Sequence, residues 1–91
     1  MNKQKLIDAI AKDTDFSKSD TEKVIESMMK VIQKQVKMGK DVTLMGFGTF
    51  TSVKRKARKG YDPHNEKEIQ IPAAIMPKFR PGKEFKELLK N

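Results

Sequence analysis

The chain has 91 residues, 20 of them Lys or Arg and 12 Asp or Glu, for a formal net charge of +8 at neutral pH. That is one domain's worth of polypeptide, and 36% hydrophobic against 35% charged residues is lean for a monomer that must bury a core. Cysteine is absent and His64 is the single histidine, so disulfides, thiolate metal sites and paired-histidine metal sites are excluded, and no apolar run approaches a membrane span.

The first half reads as helical. Leu6, Ile7, Ile10 and Ala11 recur at helix spacing, with Asn2 placed to cap the start. No apolar stretch follows Met1-Asn2-Lys3-Gln4-Lys5, so no secretion signal is expected. The pattern breaks over Asp13–Phe16. Ser17 followed by Asp20 then has the form of a helix start, and Val24, Ile25, Met28, Met29, Ile32 and Val36 continue at helix spacing up to Gly39, a natural stop. Val31 widens that stripe beyond what the short first helix can cover, so a second partner is needed there. The methionines Met28, Met29, Met38 and Met45 read most simply as core filler.

Beyond Gly39 the signals are those of strands. Asp41–Met45 alternates, Gly46-Phe47-Gly48 marks a tight turn, and Thr49–Val53 resumes in β-prone residues. Gly60–Asn65 is a turn by composition, and Ile69, Ile71, Ala73, Ile75, Pro77 and Phe79 then hold every second position of one strand. Pro72 and Pro77 require that strand to lie at an edge or carry a bulge. Pro81-Gly82 ends it, and Phe85, Leu88 and Leu89 predict a short terminal helix. The expected order is α-α-β-β-β-α within a single domain, 1–91. Residues 1–40 form a helical dimerisation region, 41–81 a sheet with an arm at about 54–68, and 82–91 a C-terminal helix.

Charge is placed unevenly: residues 1–53 carry a net +2 and residues 54–91 a net +6. Lys54-Arg55-Lys56-Ala57-Arg58-Lys59 holds five positive charges with no acid between them. Residues 54–68 contain almost nothing apolar, yet strand signals run into them from both sides, so the hairpin is expected to project as an arm. The core left behind is marginal for one chain. The wide helical stripe and Phe47, Phe50 and Phe79 then read as a surface shared with a second copy. A hairpin positive on both faces repels itself unless something anionic lies against it, which favours nucleic acid over a solvated face.

Other readings compete at particular residues. Pro63 is an ordinary turn proline on composition alone; the sharper alternative is an apolar wedge between base pairs. Gly46-Phe47-Gly48 fails as a dinucleotide loop because Thr51 and strand residues follow where a helix should open. His64 between Asp62 and Glu66 sits on a solvated tip, with no pocket to exclude water from acid–base chemistry. No catalytic constellation, metal site or cofactor motif is present in the pattern, and no enzyme is expected.

Four stretches together resemble a known family: Met1-Asn2-Lys3 through Leu6–Ala11, then Gly46-Phe47-Gly48-Thr49-Phe50, then Pro63, then Pro77-Lys78-Phe79-Arg80-Pro81-Gly82-Lys83. They are similar, over the whole chain, to the HU and integration-host-factor family of bacterial histone-like, DNA-bending proteins. That family is itself a standing example of minor-groove architectural binding, so the bending mechanism comes with the resemblance. The resemblance implies an α+β, intertwined dimer with a helical base, a three-stranded antiparallel sheet per subunit and protruding β-ribbon arms. Arg55 and Arg58 match positions that follow the minor groove, with Lys54, Lys56, Lys59 and Lys67 as further arm cations. Pro63 matches the intercalating tip proline. Lys3 and Lys83 match flank positions on DNA phosphates, and Phe47, Phe50 and Phe79 match the intersubunit aromatic core. The tip departs from the pattern: Tyr61 and Asp62 stand where arginine and asparagine are common, and Asn65 and Glu66 where threonine and glycine are. Two acids there weaken the attraction to phosphate, while Tyr61 is available to stack or hydrogen-bond on DNA.

The expected function is that of a non-enzymatic, homodimeric architectural protein of the bacterial nucleoid and cytoplasm. It would bend and compact double-stranded DNA largely without sequence preference, nicked, gapped or bent DNA included. The alternative is a sequence-preferring bender of the integration-host-factor type, against which stands the lack of a tail beyond Asn91. A third reading, a basic adaptor for an acidic protein, fails if the chain is retained on duplex DNA at physiological salt.

Overall fold

Local capping chemistry opens both long helices where the sequence predicts. In the computed structural model, which describes residues 1–90, α1 spans Lys3–Thr14 and the Asn2 side chain accepts the Lys5 N–H at 2.9 Å. Helix α2 spans Lys18–Lys37, with the Asp20 N–H donating to Ser17 Oγ at 3.1 Å. These satisfy N–H groups that a helix start leaves without partners. Asp15, at φ 61°, turns the chain between them.

The chain divides into two compact units, Met1–Lys34 and a second that begins at Gln35. In the first, Ile7 and Ala11 of α1 and Thr21 and Ile25 of α2 are buried, and two ion pairs, Lys3–Glu26 and Lys18–Asp8, tie the helices. Of the rest of the apolar stripe on α2, Ile32 and Val36 are half-buried, while Val24 is 64% exposed and Met28, Met29 and Val31 are exposed too. Met28, Met29 and Met38, read from the sequence as core filler, are thus exposed on the single chain. Met45, which follows β1, is 97% exposed.

The second unit starts with the end of α2. The Gly39 N–H donates to the Val36 carbonyl at 3.0 Å and the Lys40 N–H to the Gln35 carbonyl at 2.9 Å, with Gly39 at φ 79°. This left-handed exit pairs two carbonyls the helix would otherwise leave open, and glycine takes that conformation without a Cβ penalty. Five strands follow: β1 (Val42–Leu44), β2 (Gly48–Arg55), β3 (Arg58–Asp62), β4 (Lys67–Ile71) and β5 (Ala74–Pro81), then helix α3 (Lys83–Leu88). The terminal helix expected over 82–91 is thus shorter, and Asn91 lies outside the described residues. Strands β1, β2 and β5 form an antiparallel sheet in that order, and β3 and β4 form a separate antiparallel ribbon. The fold is α+β.

Two of the expected strands are each broken in two. The first sheet's pairing ends at Arg55↔Ala74 and the ribbon's begins at Arg58↔Ile71, so Lys56-Ala57 and Pro72-Ala73 are skipped at the same level. Pro72 has no N–H to offer a ladder, which accounts for the interruption. The ribbon therefore covers 58–71 rather than about 54–68, and Lys54 and Arg55 belong to the larger sheet. Pro77 is tolerated in β5 because that strand is an edge, paired to β2 alone.

The aromatic centre of this unit is Phe79. Its ring lies 4.8 Å from Phe50 and 5.3 Å from Phe47, and Phe85 of α3 closes the cluster 5.3 Å from Phe47. These tilted arrangements suit the ring quadrupoles. A Gly82 N–H bond to the Phe47 carbonyl, 2.8 Å, joins the start of α3 to the β1–β2 turn. Phe85 belongs with the aromatic trio, although the sequence pattern marked it only as a helix residue.

Candidate nucleic-acid interface

The ribbon sets out its side chains by register. Arg58 faces Ile71, Gly60 faces Ile69 and Asp62 faces Lys67 on one side, while Lys59 faces Gln70 and Tyr61 faces Glu68 on the other. At Gly60 a Cβ would lie 2.7 Å from Ile71 Cδ1, so the isoleucine packs over the missing side chain. Ile69 and Ile71 thereby give an arm too thin for a core a small apolar face of its own. Their role was hidden in the sequence because their spacing is continuous with β5.

The run of five cations is distributed over three settings. Lys54 is exposed on β2, Lys56 is exposed in the skipped segment, and Arg58 and Lys59 are exposed on β3. Arg55 differs from all four. It is half-buried, with one guanidinium N–H donating to the Pro72 carbonyl at 3.3 Å, another 3.9 Å from Met76 Sδ, and Nε buried without a partner. Lys67 is exposed at the start of β4. Among the described residues both ion pairs lie in the N-terminal unit, and in the ribbon Asp62 stands opposite Lys67. Within 58–71 Arg58, Lys59 and Lys67 are matched in number by Asp62, Glu66 and Glu68, so the positive excess lies at the ribbon's base, in Lys54, Arg55 and Lys56, where it is open to an outside anion.

The tip is a turn over residues 63–66. Pro63 is exposed, and Tyr61 is 63% exposed just before it. Asp62 reaches across the proline: one carboxylate oxygen accepts the His64 N–H and the other the Asn65 side-chain amide, both at 2.9 Å. Those bonds, Asn65 first and the His64 amide second, hold the Asp62 carboxyl below its ordinary pKa, so the tip stays anionic. Glu66 closes the turn at φ 51°.

The flank lysines sit differently. Lys83 is exposed at the first position of α3. Lys3 donates to Glu26, and that hydrogen bond, with the charges of Glu26 and Glu22, raises the lysine's pKa. Phosphate would have to draw Lys3 away from this partner. Among the described residues no cluster of His, Asp or Glu is arranged to hold a metal ion, and no helix is long and apolar enough to cross a membrane.

A helical unit, a three-stranded sheet and a separate ribbon with a basic base and an exposed proline at its tip place the chain in the HU-like α+β class. The solved structure of Anabaena HU cocrystallised with DNA has the same fold, with a TM-score of 0.95 at 39% identity, covering 98% of this chain and 97% of that one. The family profile described as "Bacterial DNA-binding protein" matches residues 1–90, and the chain belongs to that family. It is 42% identical to DNA-binding protein HU 1 of Bacillus subtilis over 87 residues, covering 96% of this chain and 95% of the relative. DNA-binding protein HU-beta of Escherichia coli is 44% identical over 87 residues, with coverages of 96% and 97%.

Proposed function

We propose that the chain is a homodimeric architectural DNA-binding protein, non-enzymatic, that bends and compacts double-stranded DNA largely without regard to sequence. The observation that carries this reading is the ribbon with its base, residues 54–71, which set six cations against three acids and end at an exposed Pro63. A two-stranded ribbon fits a groove, and the positive charge at its base displaces counterions from phosphates whatever the sequence. Arg58, Lys59 and Lys67 on the ribbon, with Lys54, Arg55 and Lys56 at its base, supply that grip. Tyr61 stacks or hydrogen-bonds beside the tip, Pro63 is the wedge that unstacks a base step, and Lys3 and Lys83 hold the flanks of the bent duplex.

The dimer follows from what each unit leaves uncovered. In the helical unit Val24, Met28, Met29 and Val31 form an exposed apolar row, and in the sheet unit Phe47 is 43% exposed despite its place in the aromatic cluster. A second copy covering both would give each dimer two arms. No membrane, cofactor or metal enters this reading.

The test is binding of the full chain to intact, nicked and gapped duplexes over a salt series, with a footprint on random and defined sequences. If ~6–10 phosphates are neutralised, log affinity falls against log salt with a slope of about −0.9 per phosphate. The footprint should be similar on random and defined DNA, and tighter on nicked or gapped DNA, where unstacking is already done. A slope near zero would remove nucleic acid from the reading, and a protected defined site alone would turn it to the sequence-preferring alternative.

A further inference from the structure

Asp62 is out of place on electrostatic grounds. An arm that grips phosphate gains nothing from a permanent negative charge beside its tip, and Glu66 adds a second within the same turn. The geometry gives the residue another use. Asp62 is half-buried at the end of β3, and both carboxylate oxygens are engaged, one by the His64 N–H and one by the Asn65 amide, each at 2.9 Å. The pair of bonds spans Pro63, whose ring stays exposed. An aspartate that bonds to the backbone two residues on is an alternative way of building a turn, and the proline supplies a fixed φ at the next position.

The turn needs such support. It closes through Glu66 in the left-handed region, at φ 51°, where a side chain crowds the backbone. Glycine would adopt this conformation freely; glutamate does so only when its surroundings hold it. Pro63 has no N–H to donate at the apex, and the first N–H after it, that of His64, is taken up by the Asp62 carboxylate.

We propose that Asp62 is a positioning residue of the arm tip, whose side-chain acceptor holds Pro63 in the exposed attitude a wedge needs. The inference rests on the wedge reading above and adds that bending depends on the hydrogen-bond acceptor at position 62, not on its charge. The distinction can be made cleanly, because Asp62→Asn and Asp62→Ala are both neutral. Asparagine keeps an oxygen for the His64 N–H, and a flipped Asn65 amide can accept from its nitrogen, whereas alanine offers neither bond.

End-to-end energy transfer on an intact duplex and affinity for a gapped duplex, with the full-length protein and Pro63→Ala alongside, decide the matter. Both Asp62 variants should bind gapped DNA equally, and more tightly than the parent at low salt, since each loses the same repulsion. On intact DNA Asp62→Asn should bend as the parent does, while for Asp62→Ala the bent population should fall by roughly three- to ten-fold, the scale of a hydrogen-bond loss. Without DNA, amide exchange at His64 should accelerate in Asp62→Ala and stay protected in Asp62→Asn. If the two variants bend intact DNA alike, or exchange alike at His64, the positioning role is overturned. If Pro63→Ala itself bends intact DNA normally, the wedge reading is what fails, whatever the Asp62 variants do.

Discussion

A methyl group at Gly48 tests the packing on which the sheet unit depends. Gly48 is buried at the first position of β2, and a Cβ there would lie 2.5 Å from Phe79 Cζ and 2.6 Å from both Phe79 Cε1 and the Arg80 carbonyl oxygen. The Arg80 carbonyl is backbone and the Phe79 ring is hemmed in, so both resist displacement. The Phe79 ring is wedged between Phe50, 4.8 Å away, and Phe47, 5.3 Å away, and the Arg80 carbonyl lies in the β2–β5 ladder, where Thr49 faces Arg80. Overpacking of this kind costs ~1–3 kcal/mol, which for a chain of this size lowers Tm by about 4–8 °C for each kcal/mol. Gly39→Ala is the control: it meets nothing within 4 Å, and its cost is only that of forcing φ 79° on a residue with a side chain, ~1 kcal/mol. Thermal unfolding followed by circular dichroism, at several protein concentrations so that dimer dissociation is separated from folding, gives the comparison. A Gly48→Ala protein as stable as the parent, or more stable than Gly39→Ala, would refute the register that sets Gly48 against Phe79 and Arg80.

Other outcomes follow from the same geometry. Phe47→Ala should weaken the dimer by ~3–5 kcal/mol if a second copy covers the ring, and sedimentation showing a folded monomer in the parent would dispose of the shared core. Arg58→Ala should reduce affinity on every sequence and flatten the salt slope by about one unit; a change confined to one sequence would mean base readout instead. The Lys3–Glu26 pair sets a pH window. Its hydrogen bond lowers the Glu26 pKa, so that contribution is present above the ordinary 4.5 and lost as pH falls through the lowered value, while the raised Lys3 pKa keeps its contribution below 10.5 and loses it as pH climbs through the raised value. The stability difference between the parent and Lys3→Gln should therefore be flat between those limits and shrink at both ends, and a difference unchanged in acid would dismiss the pair.

What the sequence revealed was decided within a few residues. Asn2, Ser17 and Gly39 mark the helix ends because capping is local chemistry, and the Gly46–Gly48 turn is legible for the same reason: the Phe47 N–H closes on the Leu44 carbonyl at 3.0 Å with Gly46 at φ 81°. What stayed hidden was set by partners far along the chain. An every-second-residue pattern runs through Ile69, Ile71, Ala73 and Ile75 without registering that the chain passes from ribbon to sheet; Pro72 was the signal, and it read equally well as a bulge. Glu26 is 23 residues from Lys3, so nothing near Lys3 announces the pair. Phe85 joins the aromatic cluster only because α3 returns beside the β1–β2 turn. Asp62 was legible as a turn former and as a repulsive charge, and the first of these describes what its oxygens do.

The same distinction governs how the positive charge should be counted. In sequence, Arg55 is one of a run of five cations; in the fold it stands at the joint where both strands lose their pairing at once. Its guanidinium spans that gap to the Pro72 carbonyl, 17 residues away, and the burial of Nε without a partner makes the attachment costly to hold. A group in that position braces the base of the arm as well as adding charge to it, so removing it alters geometry and electrostatics together. Arg58 and Lys59 carry no such second contact among the hydrogen bonds and ion pairs of the described residues, and both side chains are exposed. Charge substitutions there isolate the counterion term. A loss of affinity on replacing Arg55 has to be divided between a lost phosphate contact and a loosened joint, and the salt slope separates the two: only the lost contact flattens it.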